Sequence, residues 1–157
     1  MGISISPGHH GLAVGDVNGD GLEDVYVCDG GSLPNRLYVQ RPDGTVDERS
    51  AVAGVDFLED SRGALLVDLD NDGDQDLAVT TVAMVIVAEN DGSGRFTLRG
   101  GHPGAPYPAS ISAADVDVDG DLDFYVCVYE GATQGKAAQG FQAVSYTHLT
   151  LPTILLV

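Results

Sequence analysis

The chain has 157 residues and a formal net charge of −17, because 24 acidic residues outnumber seven Lys and Arg. A protein that binds nucleic acid through clustered basic residues is therefore excluded, since phosphate binding depends on such clusters. A disordered polyacid is excluded too, because 43% of the residues are hydrophobic. No apolar run is long enough for a membrane-spanning helix, so no membrane insertion is expected. The N-terminus lacks a signal-peptide pattern.

In chain order, the sequence predicts short β-strands joined by turns. The first group lies at 12–14, 25–28, 36–40 and from Thr45 onward, and the second at 64–67, 77–82, 84–88 and 96–98. Further strands are predicted at 111–114 and 124–129. These segments are rich in β-branched and aromatic residues, and the intervening 42–44 and 90–94 carry the Gly and Asp or Asn of hairpin turns. Residues 100–108, which include His102, are predicted to form a loop.

An acidic nonapeptide occurs three times, at Asp16–Asp24, Asp68–Asp76 and Asp115–Asp123. The copies start 52 and 47 residues apart, and each lies between two predicted strands. A period of about 50 residues that holds about four short strands is the content of one propeller blade. The predicted fold class is therefore all-β, a partial β-propeller of about three four-stranded blades.

The repeated loop has the composition of a divalent-cation site. Side-chain oxygens recur at positions 1, 3, 5 and 9, and position 6 is always Gly, as a loop that bends around an ion requires. The three loops hold 14 of the 24 acidic residues, whose mutual repulsion a hard cation such as Ca²⁺ would relieve. An EF-hand is excluded because position 12 is Val27, Val79 or Val126 rather than Glu. A solvated acidic turn without metal stays the alternative.

Asp-x-Asp/Asn-x-Asp-Gly-x-x-Asp between two strands resembles the FG-GAP or VCBS-type repeat over residues 9–130. It is similar to the calcium loops of integrin α-chain propellers and to bacterial repeats related to the cartilage acidic protein family. The resemblance implies Ca²⁺ bound by the side chains at positions 1, 3, 5 and 9 and by the carbonyl at position 7. The implied metal ligands are Asp16, Asn18, Asp20, Leu22 and Asp24 in the first loop, Asp68, Asp70, Asp72, Asp74 and Asp76 in the second, and Asp115, Asp117, Asp119, Asp121 and Asp123 in the third. The first site is expected to be the weakest, because Asn18 removes a charge and Gly19 loosens the turn.

Few other residues indicate chemistry. Cys28 and Cys127 are interpreted as small buried residues, because equivalent positions two blades apart are too distant for a disulfide. His9 and His10 could bind a metal, but the sequence shows no second cluster of matching ligands, so such a role is not predicted. No catalytic or phosphate-binding motif is present, so the chain is predicted not to be an enzyme.

The C-terminal segment differs from the rest. The repeat pattern is lost over 131–142, and Val144–Thr153 resembles the translation of a sequencing adaptor in one reading frame. The sequence therefore predicts a propeller-type unit at 1–143 and a non-native tail at 144–157, which is left out of functional reasoning.

The predicted function is that of a non-catalytic calcium-binding repeat module. It would serve extracellular or periplasmic adhesion through an unidentified protein or glycan ligand. Self-association through open blade faces is a further possibility, because each blade packs mainly on its neighbours. Two alternatives stay open, namely part of a larger enzyme such as a polysaccharide lyase and a structural spacer without a ligand.

Overall fold

A computed structural model describes residues 10–31, 33–103, 108–129, 141–147 and 155–156. Within these ranges the chain forms three four-stranded antiparallel sheets. The first contains β1 (Leu12–Gly15), β2 (Asp24–Val27), β3 (Arg36–Gln40) and β4 (Val46–Glu48), followed by the short helix α1 (Ser50–Ala53). The second contains β5 (Ser61–Val67), β6 (Asp76–Thr81), β7 (Met84–Asn90) and β8 (Phe96–Pro103). The third contains β9 (Pro108–Ala114), β10 (Asp123–Tyr129), β11 (Phe141–Thr147) and β12 (Leu155–Leu156).

The strand order within each sheet follows the chain, as in a propeller blade. The first strands of the three sheets lie side by side, with β5 between β1 and β9. Two glycines permit the approach of β1 to β5, because a Cβ atom on Gly11 would lie 2.5 Å from the Cα of Gly63. The all-β class and the arrangement as partial propeller blades are therefore confirmed.

Two apolar cores join the sheets. The first packs Tyr26 and Leu37 of the first sheet against Leu77 and Val79 of the second. The other packs Ala78, Val85 and Val87 of the second sheet against Phe124 and Val126 of the third. Every residue of β6 is buried, whereas β2 alternates between buried and half-buried residues. The middle sheet is thus covered on both faces.

The structure differs from the sequence prediction in three places. Residues Gly100–Pro103 continue β8 and pair with β7, although their glycines indicated a loop. The pairing shifts register between Val87 and Ala88, where Arg99 is the extra residue of a bulge, and both glycines pair with β7 beyond it. Helix α1 was not predicted. Strand β11 extends into the predicted tail and β12 lies within it, while the boundary at 143 stays a prediction.

The two cysteines are free; Cys28 is buried, as predicted, whereas Cys127 is only half-buried. Burial raises the pKa of the Cys28 thiol to about 12. His9 lies outside the described residues. The part of the chain that the structure describes has no helix long and apolar enough to span a bilayer.

Candidate metal centres

Each acidic loop connects the first strand of its sheet to the second. The Asp at position 9 begins the second strand and is buried in all three loops, with exposed fractions of 0% for Asp24, 1% for Asp76 and 2% for Asp123. One carboxylate oxygen of each accepts a hydrogen bond from the backbone N–H at position 2, at 3.0, 2.8 and 3.0 Å. This bond closes the loop across its base.

In the first two sheets, the other oxygen of the same carboxylate is held by the third strand. Asp24 accepts from the backbone N–H of Gln40 at 2.8 Å, and Asp76 accepts from that of Asn90 at 2.8 Å. Desolvation by burial raises the pKa of both carboxyls despite these bonds. The first and second loops therefore each enclose an anion that the surrounding protein compensates only in part.

The Asp at position 1 stabilises the bend of the loop. Its Oδ2 accepts from the backbone N–H of the glycine at position 6, at 2.7 Å for Asp16 and 3.1 Å for Asp68 and Asp115. Desolvation alone would raise the pKa of Asp16, but hydrogen bonds from nearby backbone N–H groups outweigh it and lower the pKa. All three glycines have a positive φ, which explains why position 6 is invariant within this chain.

Position 4 also adopts a left-handed backbone conformation. Its φ is 71° at Gly19, 63° at Asn71 and 62° at Val118. Gly and Asn tolerate this region, whereas a β-branched residue is strained there. The sequence argument that Gly19 loosens the first loop overlooked this shared conformation, which Gly19 suits. The strained position lies in the third loop.

Val118→Asn is therefore expected to increase the free energy of unfolding by about 1 kcal/mol, because Asn relieves left-handed strain. Val118 is 85% exposed, so the loss of apolar contacts is small. Urea unfolding of the full chain would measure the gain. The matched control is Val116→Asn, since Val116 is also exposed but does not have a positive φ. An equal gain from both variants would contradict the strain at position 4.

Carboxylates converge in the second and third loops. One oxygen from each of Asp68, Asp70 and Asp76 lies within 4.8 Å of the others, and the same holds for Asp115, Asp117 and Asp123. These are positions 1, 3 and 9 of the predicted ligand set. The position 5 residues lie outside both groups and bond to their own loops, as Asp72 and Asp119 accept from the N–H at position 7, each at 3.0 Å.

The second loop shows the clearest fit to a cation. Asp68 Oδ1 is buried and has no hydrogen-bond partner. Desolvation raises the pKa of Asp70, and the charges of Asp72 and Glu89 add to the effect. A buried acceptor without a donor is costly, and oxygen-rich sites of this kind suit a hard cation.

The first loop differs at position 3. The side-chain amide of Asn18 donates to Asp20 Oδ2 at 3.0 Å, so a donor lies among the acidic groups. Among the described residues, no group of three carboxylates forms in this loop. Leu22 at position 7 donates its backbone N–H to Asp20 Oδ1 at 2.9 Å.

Sequence reasoning missed the contacts of Gln75, which lies within the second loop, and of Asn90, which lies beside it. Asn90 was interpreted only as part of a hairpin turn, although its backbone N–H bonds to Asp76. The signal that could have identified Asn90 is its place at the end of the third strand, directly before the turn.

Comparison with known proteins agrees with this architecture. Residues 16–79 and 68–126 each match the FG-GAP-like repeat. Cartilage acidic protein 1 from Homo sapiens is 36% identical over 77 residues, which cover 48% of this chain and 12% of the human protein. Its Xenopus tropicalis counterpart is 27% identical over 132 residues, covering 80% of this chain and 20% of the frog protein. The chain thus spans a fifth or less of the length of these relatives. With two matched repeats and sheets ordered as propeller blades, this chain belongs to the FG-GAP-like repeat family.

Proposed function

We propose that this chain is a non-catalytic, calcium-binding part of a β-propeller. The observation that carries the proposal is the convergence of three carboxylates in the second and third loops, together with the unpartnered buried oxygen of Asp68. The residues at positions 1, 3 and 9 would hold the ion, and those at positions 5 and 7 would complete the set implied by the repeat. Ca²⁺ suits this role because it accepts six to eight oxygens in flexible geometry.

Repulsion among the carboxylates of each loop favours cation binding. The second and third loops carry five Asp each within nine residues, and the whole chain has a net charge of −17. The first loop has four acidic residues and the amide of Asn18, so we propose that it binds calcium least tightly of the three.

A calcium titration of the full chain tests this function. After removal of bound metal, a competing fluorescent chelator should report about three sites, two of them tighter than the third. Asp70→Ala and Asp117→Ala should each abolish one of the tight sites, because each removes one of three converging carboxylates. The matched control is Asp43→Ala, which removes an exposed carboxylate of the turn between β3 and β4. Equal binding by the wild type and the Asp70→Ala, Asp117→Ala double variant would overturn the proposal.

An extracellular or periplasmic location for the parent protein is part of the same proposal. It is supported by the similarity to cartilage acidic protein 1. Exposed loop sites would bind calcium weakly, and the millimolar calcium outside cells would still fill them. With calcium fixing the loops, the propeller would present a surface for a protein or glycan ligand in adhesion. A glycan array probed with the calcium-loaded chain, with a chelator-treated sample as control, would test the glycan branch of this idea.

A further inference from the structure

The turn between β7 and β8, residues 91–95, lies between the first and the second acidic loop. On one side, a Cβ atom on Gly94 would contact Val17 of the first loop at 3.4 Å. On the other side, a Cβ atom on Gly92 would lie 2.5 Å from Asp74 Oδ2 of the second loop. The turn therefore contacts two loops that belong to different sheets.

Asn90 precedes this turn, is only 6% exposed, and bonds through its backbone N–H and both polar atoms of its side chain. Its backbone N–H donates to Asp76 Oδ1 at 2.8 Å, and its Oδ1 accepts from the N–H of Gly94 at 3.1 Å. Its side-chain amide donates to the carbonyl of Val17 at 2.8 Å and to that of Gln75 at 3.0 Å. Asn90 thus bonds to Asp76, a proposed metal ligand of the second loop, and to the backbone of the first loop.

The bonds of Val17 extend this connection to the first loop. Its N–H donates to Asp24 Oδ2 at 3.0 Å, while its carbonyl accepts from Asn90. Gln75 adds a steric contact, since a Cβ atom on Gly15 would overlap the Gln75 side-chain amide. A continuous path of buried bonds therefore runs from Asp76 through Asn90 and Val17 to Asp24.

We infer that Asn90 is a positioning residue that couples calcium binding at the first loop to calcium binding at the second. This inference rests on the calcium-binding function proposed above. An ion that orders Asp76 also orders Asn90, which in turn holds the carbonyl of Val17, the residue whose N–H closes the first loop. The first loop is then partly ordered before its own ion binds, so that ion loses less conformational entropy on binding. Binding at the second loop therefore raises the calcium affinity of the first.

The experiment measures the calcium affinity of the first loop with the second loop competent or disabled. All proteins are the full chain and carry Asp117→Ala, which removes a carboxylate of the third loop; Asp70→Ala disables the second. We expect the affinity of the first loop to fall about tenfold when the second is disabled, within the usual range of coupling between sites. Asn90→Ala should reduce this ratio to about one.

The matched control is Gln40→Ala, because Gln40 occupies the corresponding place in the first sheet and holds Asp24 through its backbone N–H. The tenfold ratio should persist in that variant. Asn90→Asp is a second test, because a carboxylate keeps the acceptor for Gly94 but cannot donate to either carbonyl, so it should also bring the ratio to about one. A purely structural role would lower both affinities equally and leave the ratio at ten.

The outcomes separate this inference from the proposed function. Two calcium sites that bind independently in the wild type would overturn the coupling while leaving calcium binding intact. A tenfold ratio that survives in the Asn90→Ala and Asn90→Asp proteins would overturn the role of Asn90. The absence of any calcium binding would overturn both proposals.

Discussion

Saturating calcium should raise the free energy of unfolding of the full chain by several kcal/mol relative to a chelator-treated sample. A ligand that binds only the folded state adds about 2.7 kcal/mol per site at a hundredfold excess over its Kd. The physical reason is that the apo loops hold like charges together, and their position 9 carboxylates Asp24 and Asp76 already have pKa values raised by desolvation. Urea unfolding followed by circular dichroism would measure the difference.

Two controls separate site binding from general screening. Potassium chloride at matched ionic strength should give a much smaller gain, because monovalent salt screens exposed charges without occupying a site. The Asp70→Ala, Asp117→Ala double variant should lose more than half of the calcium-dependent gain. A potassium chloride effect as large as that of calcium would show that the loops respond only to ionic strength.

The sequence predicted the loops and most strands well because both are local patterns. Asp24, Asp76 and Asp123 each end a nonapeptide and begin a strand, so the repeat marks the boundary directly. The strand predicted at 36–40 coincides with β3, since alternating residues there bury one face of the sheet. Such features are fixed by neighbours within a few residues along the chain.

Other features depend on distant partners and could not be predicted from local sequence. The role of Asn90 depends on Val17, which lies 73 residues earlier. The extension of β8 through Gly100 and Gly101 depends on pairing with β7, which outweighs the turn preference of glycine. The left-handed conformation at Val118 is contrary to its side-chain preference, and it is imposed by the loop geometry that recurs at Gly19 in the first loop and Asn71 in the second.

One sheet face determines how the chain should behave in solution. In β6, Leu77 and Val79 lie one and three residues after Asp76 and pack against the first sheet. In β10, Phe124 and Val126 follow Asp123 in the same way and pack against the second sheet. The corresponding side chains of β2 are Val25 and Val27, which are only half-buried. The outer face of the first sheet therefore has the composition of a blade interface, and no element of the described chain covers it fully.

This outer face should cause the full chain to self-associate, with a second copy as the partner. Leu12 and Val14 of β1 are 58% and 52% exposed on it, and burying what is exposed contributes about 1 kcal/mol for each side chain. Leu12→Gln with Val14→Thr should therefore weaken association at least tenfold, since about 1.4 kcal/mol corresponds to a factor of ten. Sedimentation velocity over a concentration series in calcium would measure the change.

The matched control is Leu58→Gln with Val52→Thr, because these residues are 70% and 58% exposed but lie on no strand of the sheet. A wild-type chain that sediments as a monomer throughout, or a control that weakens association equally, would contradict an interface at this face.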